Sequence, residues 1–283
     1  MPGSPPATVV IPTRDRADYL DVALHSIVPQ AADQDADVLV VSDGPDPQAR
    51  GVAERHGVEH LALPRATGAN AARNAGVAAA RASLIVFVDD DVEALPGWLE
   101  ALIRGAEEAS EDDVFGGPIL PRLEGGGPHA CGLEPPPITT LDAGTLDRAI
   151  PLVWSANMAI RVRAFERVGG FDESIRGRGE EEDWQRRYKQ AGGQIRYVAG
   201  APVIHRRTPE DATLRRLAGA QYRLGRSARR YDVRKGTAPS LAGELRVLAG
   251  SGWHTARRRC AYGIVFGAHA AGRIREAIVE SGR

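Results

Sequence analysis

The stretch LIVFVDDDVEALPGW, Leu84–Trp98, drives five apolar residues straight into three consecutive carboxylates. Like charges a few Å apart repel by about 1 kcal/mol per pair even in water, and by more where water is scarce. A buried strand that ends by concentrating negative charge is therefore either a solvated terminus or a place that expects a cation. In an extended segment residues two apart point the same way, so Asp89 and Asp91 are expected on one side and Asp90 on the other. Two convergent carboxylates at the mouth of a sheet make a hard-oxygen site suited to Mg²⁺ or Mn²⁺.

Working outward, the first half alternates strand and helix signals. TVVI (Thr8–Ile11) reads as a short β-branched strand, followed by a helix with Leu20, Leu24 and Ile27 on one face and Pro29 as its stop. DVLVV (Asp37–Val41) is a second buried strand, ended by the turn-rich SDGPDP. A polar helix to about His56, a strand in VEHLAL and a small-residue helix in GANAARNAGVAAAR precede the acidic strand, and Pro96 suits the first turn of a helix running to about Ala109. Such repetition predicts a parallel sheet covered on both faces, and ligands of such sheets bind beyond the carboxyl ends of the strands. Three polar turns, PTRDR, SDGPDP and DDDVE, fall at those ends.

The second half differs. Residues 121–148 are rich in Gly and Pro and read as a long loop of the functional or mobile kind. A strand is expected over Val153–Val162, then the short helix RAFERV, the turn GGFDE, a charged helix from about Glu180 to Ala191 and the strands QIRYV and VIHRR. The remainder reads as helices, including a thirteen-residue apolar run, CAYGIVFGAHAAG. That is too short to span a bilayer, which needs about 20 residues.

Composition is that of a globular protein, and plentiful Ala and Arg with scarce Lys suggests a high-GC bacterial genome. The formal charge of −1 hides an asymmetry: from Asp211 onward there are fifteen basic and five acidic residues, about +10, against about −11 for the rest. Such a tail either meets an anionic surface or packs on an acidic body or in a dimer contact. Cys131 and Cys260 show no metal spacing such as C-x-x-C, so a reduced cytoplasmic setting is expected. MPGSPPATVV lacks the basic start and apolar core of a signal peptide.

With PTRDR, VSDG, GANAARNAG, VDDD, SANMAIR…GGFDE and GEEEDWQRR in that order, roughly Thr8 to Arg207 resembles the family 2 glycosyltransferases of the GT-A fold. The resemblance implies an α/β, Rossmann-like mixed sheet, mainly parallel and flanked by helices. Residues 1–115 would form the donor-binding half, 116–210 the acceptor-binding and catalytic half, and 211–283 a basic helical extension. The nucleotide would contact Pro12, Thr13, Arg14, Asp43, Asn70, Arg73, Asp89 and Asp90, with the R-N-x-G element at Arg73, Asn74 and Gly76 on the diphosphate side. Asp91, Asp89 and, late in the chain, His205 would bind Mn²⁺ or Mg²⁺; the other six histidines carry no assignment.

A base must sit close to the acceptor hydroxyl. The family's E-D-x-D, followed by a hydrophobic residue and Arg, is here E-E-E-D-W-Q-R-R. Aligned on Asp183 and Arg187, the family's catalytic Asp becomes Glu181; registered on the Glu182–Asp183 pair, the base is Asp183. Glu180 and Asp183 share a helical face while Glu181 lies about 100° away, so not all of these acids point into one site. Trp154, Asn157 and Asp172 of the GGFDE turn would form the acceptor side, and Trp98 and Trp184 are either sugar-stacking faces or core.

The resemblance implies an inverting transferase with a nucleotide-sugar donor, UDP-sugar by default, and a hydroxyl acceptor: a glycan, a lipid-linked molecule or a small molecule. It implies no nucleic-acid partner. Peripheral membrane contact at the inner face, through the basic tail, and a homodimer are the further partners considered. A sugar-nucleotide nucleotidyltransferase would want a Gly-rich loop where PTRDR stands, and an NAD(P)-dependent oxidoreductase G-x-G-x-x-G at the same place. A degenerate transferase fold serving as a scaffold is supported only by the unusual E-E-E-D.

Overall fold

The computed structural model describes residues 4–281. β1 (Thr8–Thr13) leads to α1 (Ala17–Asp33), β2 (Asp37–Ser42) to α2 (Pro47–His56), and β3 (Glu59–Ala62) to α3 (Ala69–Ala79). β4 (Leu84–Phe87) reaches α4 (Trp98–Glu108) through a short β5 (Val92–Ala94). There follow β6 (Val114–Gly116), β7 (Ile119–Leu123), β8 (Arg148–Ala149), β9 (Met158–Arg161), α5 (Val162–Val168), α6 (Glu180–Gln190), β10 (Ile195–Tyr197) and β11 (Val203–Arg207). Three helices end the chain: α7 (Leu214–Lys235), α8 (Leu241–Arg258) and α9 (Ala261–Ser281).

Two compact units emerge. The first comprises the residues up to Pro121, with Thr139–Ser174 and Glu180–His205; the second comprises Arg122–Ile138, Ile175–Gly179 and everything from Arg206 onward. The first unit is built on an eight-stranded sheet in the order β3-β2-β1-β4-β9-β6-β10-β8. β3, β2, β1 and β4 run parallel, as the strand–helix alternation predicts. β9 then inserts antiparallel to both β4 and β6, while β6 and β10 are parallel again. Val9, Val10, Ile11, Ile85, Val86 and Phe87 are fully buried, which is why these central strands read as continuous apolar runs rather than alternating ones. β5 pairs antiparallel with β11, setting His205 opposite Val92.

Two expectations need correction. α1 does not stop at Pro29 but continues to Asp33; Pro29 removes one donor, yet Ile27 and Ala31 remain buried on the core face and hold the last turn. The strand expected over Val153–Val162 is confined to Met158–Arg161, because Ser155–Asn157 coils into a 3₁₀ turn.

In the second unit α9 packs closely on α7. A Cβ at Gly225 would lie 2.0 Å from the His269 carbonyl oxygen, and one at Gly272 2.1 Å from that of Tyr222. Much of the basic charge of this segment is internally balanced. Arg226 pairs with Glu276 at 2.8 Å, Arg229 with Glu280 at 3.0 Å, and Arg273 with Glu244 at 2.7 Å and Asp232 at 2.9 Å. Among the described residues no helix is long and apolar enough to cross a membrane.

Close helix–sheet approach in the first unit depends on Gly76 of α3, where an added Cβ would lie 2.4 Å from Val10 Cγ1. Gly76→Ala is expected to destabilise by about 1–3 kcal/mol through overpacking, against a helix-propensity gain of about 1 kcal/mol. Thermal melting checks this: the midpoint falls, whereas a surface glycine replaced in a helix would raise it.

Candidate active site

The three carboxylates after β4 do not alternate as an extended strand would. The strand ends at Phe87, and Asp90 and Asp91 occupy a turn, so adjacent side chains converge. Arg16, from the turn after β1, bridges them: Nη1 donates to Asp90 Oδ1 at 2.7 Å and Nη2 to Asp91 Oδ2 at 2.8 Å. Asp90 Oδ2 also accepts from Thr13 Oγ1 at 2.7 Å. Burial raises the Asp90 carboxyl to about 7, against the lowering influence of Arg16, with Asp91 pushing it further up. Burial also works against the charge on Arg16, but Asp91 and Asp90 outweigh it and hold the guanidinium above its ordinary range. PTRDR thus contributes a second arginine whose role the sequence does not announce.

Asp91 Oδ1 lies 3.3 Å from His205 Nε2, and both residues are 3% exposed. His205 Nδ1 donates to the Thr139 carbonyl at 3.0 Å. That bond fixes the ring so that its Nε2 edge faces the carboxylate. Asp89 turns elsewhere: its Oδ1 stands 3.6 Å from Arg73 Nη2. Burial raises the Asp89 carboxyl, Arg73 lowers it and Asp91 raises it again. Of the expected metal ligands, Asp91 and His205 are in contact while Asp89 faces the arginine.

Arg73 is 4% exposed and held on three sides. Nη1 donates to Asn70 Oδ1 and to Glu180 Oε2, each at 3.1 Å, and Nη2 to Ser155 Oγ at 2.8 Å. Burial opposes its charge, but Asp89, Glu180 and Glu181 more than restore it. Its Nε is buried with no hydrogen-bond partner among the described residues. Asn70 Nδ2 donates to the Asp172 carbonyl at 2.8 Å, and Asn74 Nδ2 to that of Phe171 at 2.9 Å, tying α3 to the GGFDE turn.

A cavity of about 260 Å³ lies at the carboxyl ends of β1, β2 and β4, lined by Pro12, Thr13, Arg14, Arg16, Asp43, Arg73, Asp89 and Asp90 together with Ala69 and Ala72 of α3. Asp43 accepts from the backbone amides of Thr67 at 2.6 Å and Gly68 at 2.9 Å, and Arg14 stands 3.6 Å from it. Asp46 caps α2 through Oδ1 and, with Oδ2, accepts the amide of Asp15 at 2.9 Å, which sets the loop that aims Arg14 and Arg16. Asp15 is left-handed with φ 52°, so the parity of the extended strand is lost here too.

The acids of α6 do not divide as expected: Glu180 and Asp183, expected on one face, take different partners, while Glu181 shares the electrostatic surroundings of Glu180. Glu180 meets Arg73. Burial raises the half-buried Glu181, and Arg73, Glu180 and Asp89 act on it by their charges. Asp183 faces away from this group: its oxygens accept from Arg186 Nη2 at 2.8 Å and Arg187 Nε at 3.2 Å. Arg187 also donates to the Val168 and Gly170 carbonyls, pinning the turn after α5.

On the acceptor side two expectations are corrected, those for Trp184 and Asn157. Trp184 is core: it is fully buried, stacks on Tyr188 at 5.6 Å between centroids, and donates to the Gly169 carbonyl. Asn157 is also fully buried, accepting from Trp98 Nε1 at 2.9 Å and donating to the Pro118 and Ala201 carbonyls at 3.1 and 2.8 Å. Trp98 is likewise core. Asp172 makes a local turn, with Oδ1 accepting from the Ser174 amide and hydroxyl. Trp154 is half-buried against the main core.

With this geometry in view, the comparisons identify the class. The sequence profile described as glycosyl transferase family 2 matches residues 8–169, more than half of the chain, and the chain belongs to that family. The pre-mycofactocin glycosyltransferase of Mycobacterium tuberculosis strain H37Rv is 32% identical over 209 residues, which cover 70% of this chain and 42% of that protein. The validoxylamine A glucosyltransferase of Streptomyces hygroscopicus subsp. jinggangensis is 29% identical over 221 residues, covering 64% and 51%. The chain thus spans about half or less of the length of these relatives. The crystal structure of Staphylococcus aureus TarS 1–349 superposes with a TM-score of 0.55 at 15% identity, covering 98% of this chain and 92% of that one, and shares the mixed, mainly parallel GT-A sheet.

Asn157 gives a direct check on the acceptor-side correction. Asn157→Ala removes the partner of a buried indole N–H and the side-chain donor to the Ala201 carbonyl, each loss costing about 1–3 kcal/mol, while the Pro118 carbonyl keeps the Val203 amide. The expected result is a large drop in melting temperature, whereas an acceptor contact would leave melting unchanged.

Proposed function

We propose that the chain transfers a sugar from a nucleoside-diphosphate donor to an acceptor hydroxyl with inversion, with the aid of a divalent cation. The observation that carries this reading is the buried Asp91–His205 pair beside a cavity lined by Arg16, Arg73 and three acids. With Nδ1–H committed to Thr139, the Nε2 edge of His205 faces a carboxylate oxygen, and two such atoms at that distance require a proton or a cation between them. Carboxylate oxygens with one imidazole nitrogen suit Mn²⁺ or Mg²⁺, so the residues fit the ion that the family resemblance implies. Asp91 and His205 would hold it, with Asp89 nearby. Bound there, the ion supplies Lewis-acid stabilisation of the departing diphosphate.

The chain's own residues supply the rest. Arg73, oriented by Asn70, Ser155 and Glu180, lines the cavity and offers its guanidinium to an anionic oxygen of the donor. Thr13, Arg14 and Asp43 line the nucleotide end of the cavity. Glu181 takes the acceptor proton as the acceptor oxygen bonds to the anomeric carbon and the bond to the diphosphate oxygen breaks. It is favoured over Asp183 because Asp183 is committed to Arg186 and Arg187. A carboxylate raised by burial is also the stronger base. The nucleotide-sugar class rests on the family and the cavity, and a UDP-sugar is the first donor to try.

Glu181→Gln is expected to lower kcat by about 10²–10⁴ with little change in melting, while Asp183→Asn acts mainly on stability. Glu181 must be ionised to accept a proton. Because burial raises its carboxyl, activity is lost as pH falls through a limb lying above the ordinary carboxylate range, and Glu181→Gln removes that limb. Donor hydrolysis and transfer, followed with and without Mn²⁺, test the whole reading. Loss of metal response in Asp91→Asn and His205→Ala supports it, and a metal-independent blank across uridine, guanosine and thymidine donors favours a non-catalytic scaffold.

A further inference from the structure

The second compact unit holds chemistry that sugar transfer leaves unused. Cys131 from the Gly- and Pro-rich segment, His254 of α8 and Cys260 immediately before α9 each bring one ligand atom to a common point, all within 4.8 Å of one another. Cys131 Sγ lies 3.4 Å from His254 Nε2, and the Cys131 amide donates to Cys260 Sγ at 3.3 Å. The Ala261 amide donates to the His129 carbonyl at 2.9 Å, so the backbone of this segment is tied to the start of α9 at the same spot. All of these residues belong to one unit.

Cys260 is fully buried, whereas Cys131 and His254 are half-buried. The Cys131 thiol and amide, His254 and the Tyr262 amide are the hydrogen-bond partners of Cys260, and its place at the N-terminus of a 21-residue helix favours the thiolate. A buried cysteine usually serves as a small apolar filler, but a filler has no use for an imidazole, a second thiol and two backbone donors.

We propose that Cys131, His254 and Cys260 form a metal site for Zn²⁺, with water or an external ligand in the fourth position. Two thiolates and an imidazole are the donor set that zinc takes, and they discriminate against the Mg²⁺ or Mn²⁺ suited to carboxylates. Binding releases the remaining thiol protons to solvent, leaves His254 neutral and transfers no electrons. The ion cross-links segment 122–138 to the α8–α9 turn. Sequence spacing hides the site, since one cysteine lies 129 positions from the other.

The test uses the full chain without a histidine tag, purified under reducing conditions and titrated with Co²⁺. The expected result is thiolate-to-Co²⁺ charge-transfer absorption saturating at about one ion per chain and abolished by Zn²⁺. That band should be lost in Cys131→Ser, His254→Ala and Cys260→Ser, but kept in Asp91→Asn, because an ion among carboxylates gives no thiolate absorption. Should Cys260→Ser fail to fold, the half-buried Cys131→Ser and His254→Ala decide the question, with circular dichroism confirming that they are folded. The proposal is overturned if the reduced wild-type chain gives no charge-transfer band, or if the band survives in folded Cys131→Ser. A chain isolated with a Cys131–Cys260 disulfide that takes no Co²⁺ after reduction overturns it equally.

Discussion

Five carboxylates and two guanidiniums meet where β1, β4 and α6 deliver their chain ends, and the imbalance between them organises the site. Arg16 spans Asp90 and Asp91, and Arg73 stands between Asp89 and Glu180 with Glu181 in electrostatic reach. An unlike pair at about 4 Å is worth roughly 4 kcal/mol at the effective dielectric of a partly buried site, and the like pairs among the acids act against it on the same scale. Two cations therefore hold the cluster together without neutralising it. Burial raises Asp90 to about 7 despite Arg16, and the neighbouring Asp91 and Asp89 add to that rise. Such a site would repel a diphosphate unless further positive charge arrived with it, which is why the proposed ion and the proposed donor belong to one reading.

Much of this arrangement is legible in the chain. β1, β2 and β4 are apolar on both faces, so their sequences announce a sheet covered by helices, and the polar turns at their ends mark the mouth of the cavity. His205 is drawn to Asp91 across more than a hundred residues, a meeting that only the ordered family motifs foretell. Other features stay hidden for physical reasons. The alternation argument for Asp89 and Asp91 assumes extended backbone, but a turn at Asp90–Asp91 and a left-handed Asp15 place Arg16 against neighbouring acids instead. The antiparallel β9 is equally invisible, because a buried strand carries no mark of its direction.

The aromatic and amide residues carry the same lesson about burial. Trp184, Trp98 and Asn157 are plausible sugar contacts by residue type, yet all three are consumed in the core. Asn157 satisfies an indole and two carbonyls at once, and Trp184 joins Phe165, Phe171 and Tyr188. A side chain with a polar tip and a large apolar body serves either use, and only its neighbours decide. The acids of α6 are separated in the same manner: Asp183 meets arginines three and four residues along its own helix, a pairing that helical spacing favours. Glu180 pairs with Arg73 instead, and Glu181 lies within electrostatic reach of it.

The two clusters that invite a cation differ in the hardness of their donors, and that difference keeps them chemically distinct. In the first unit carboxylate oxygens surround a single imidazole, a setting for ions that keep water and accept phosphate oxygens. In the second unit two sulfurs accompany the imidazole, a setting that a hard ion does not enter and zinc does. Histidine appears in both because its borderline nitrogen accepts either partner, so the residues around it select the ion. His205 is turned by a backbone carbonyl toward Asp91, whereas His254 stands against Cys131. On the two proposals made above, the same side chain would serve exchangeable binding beside an anionic substrate in one unit and a lasting cross-link of chain segments in the other.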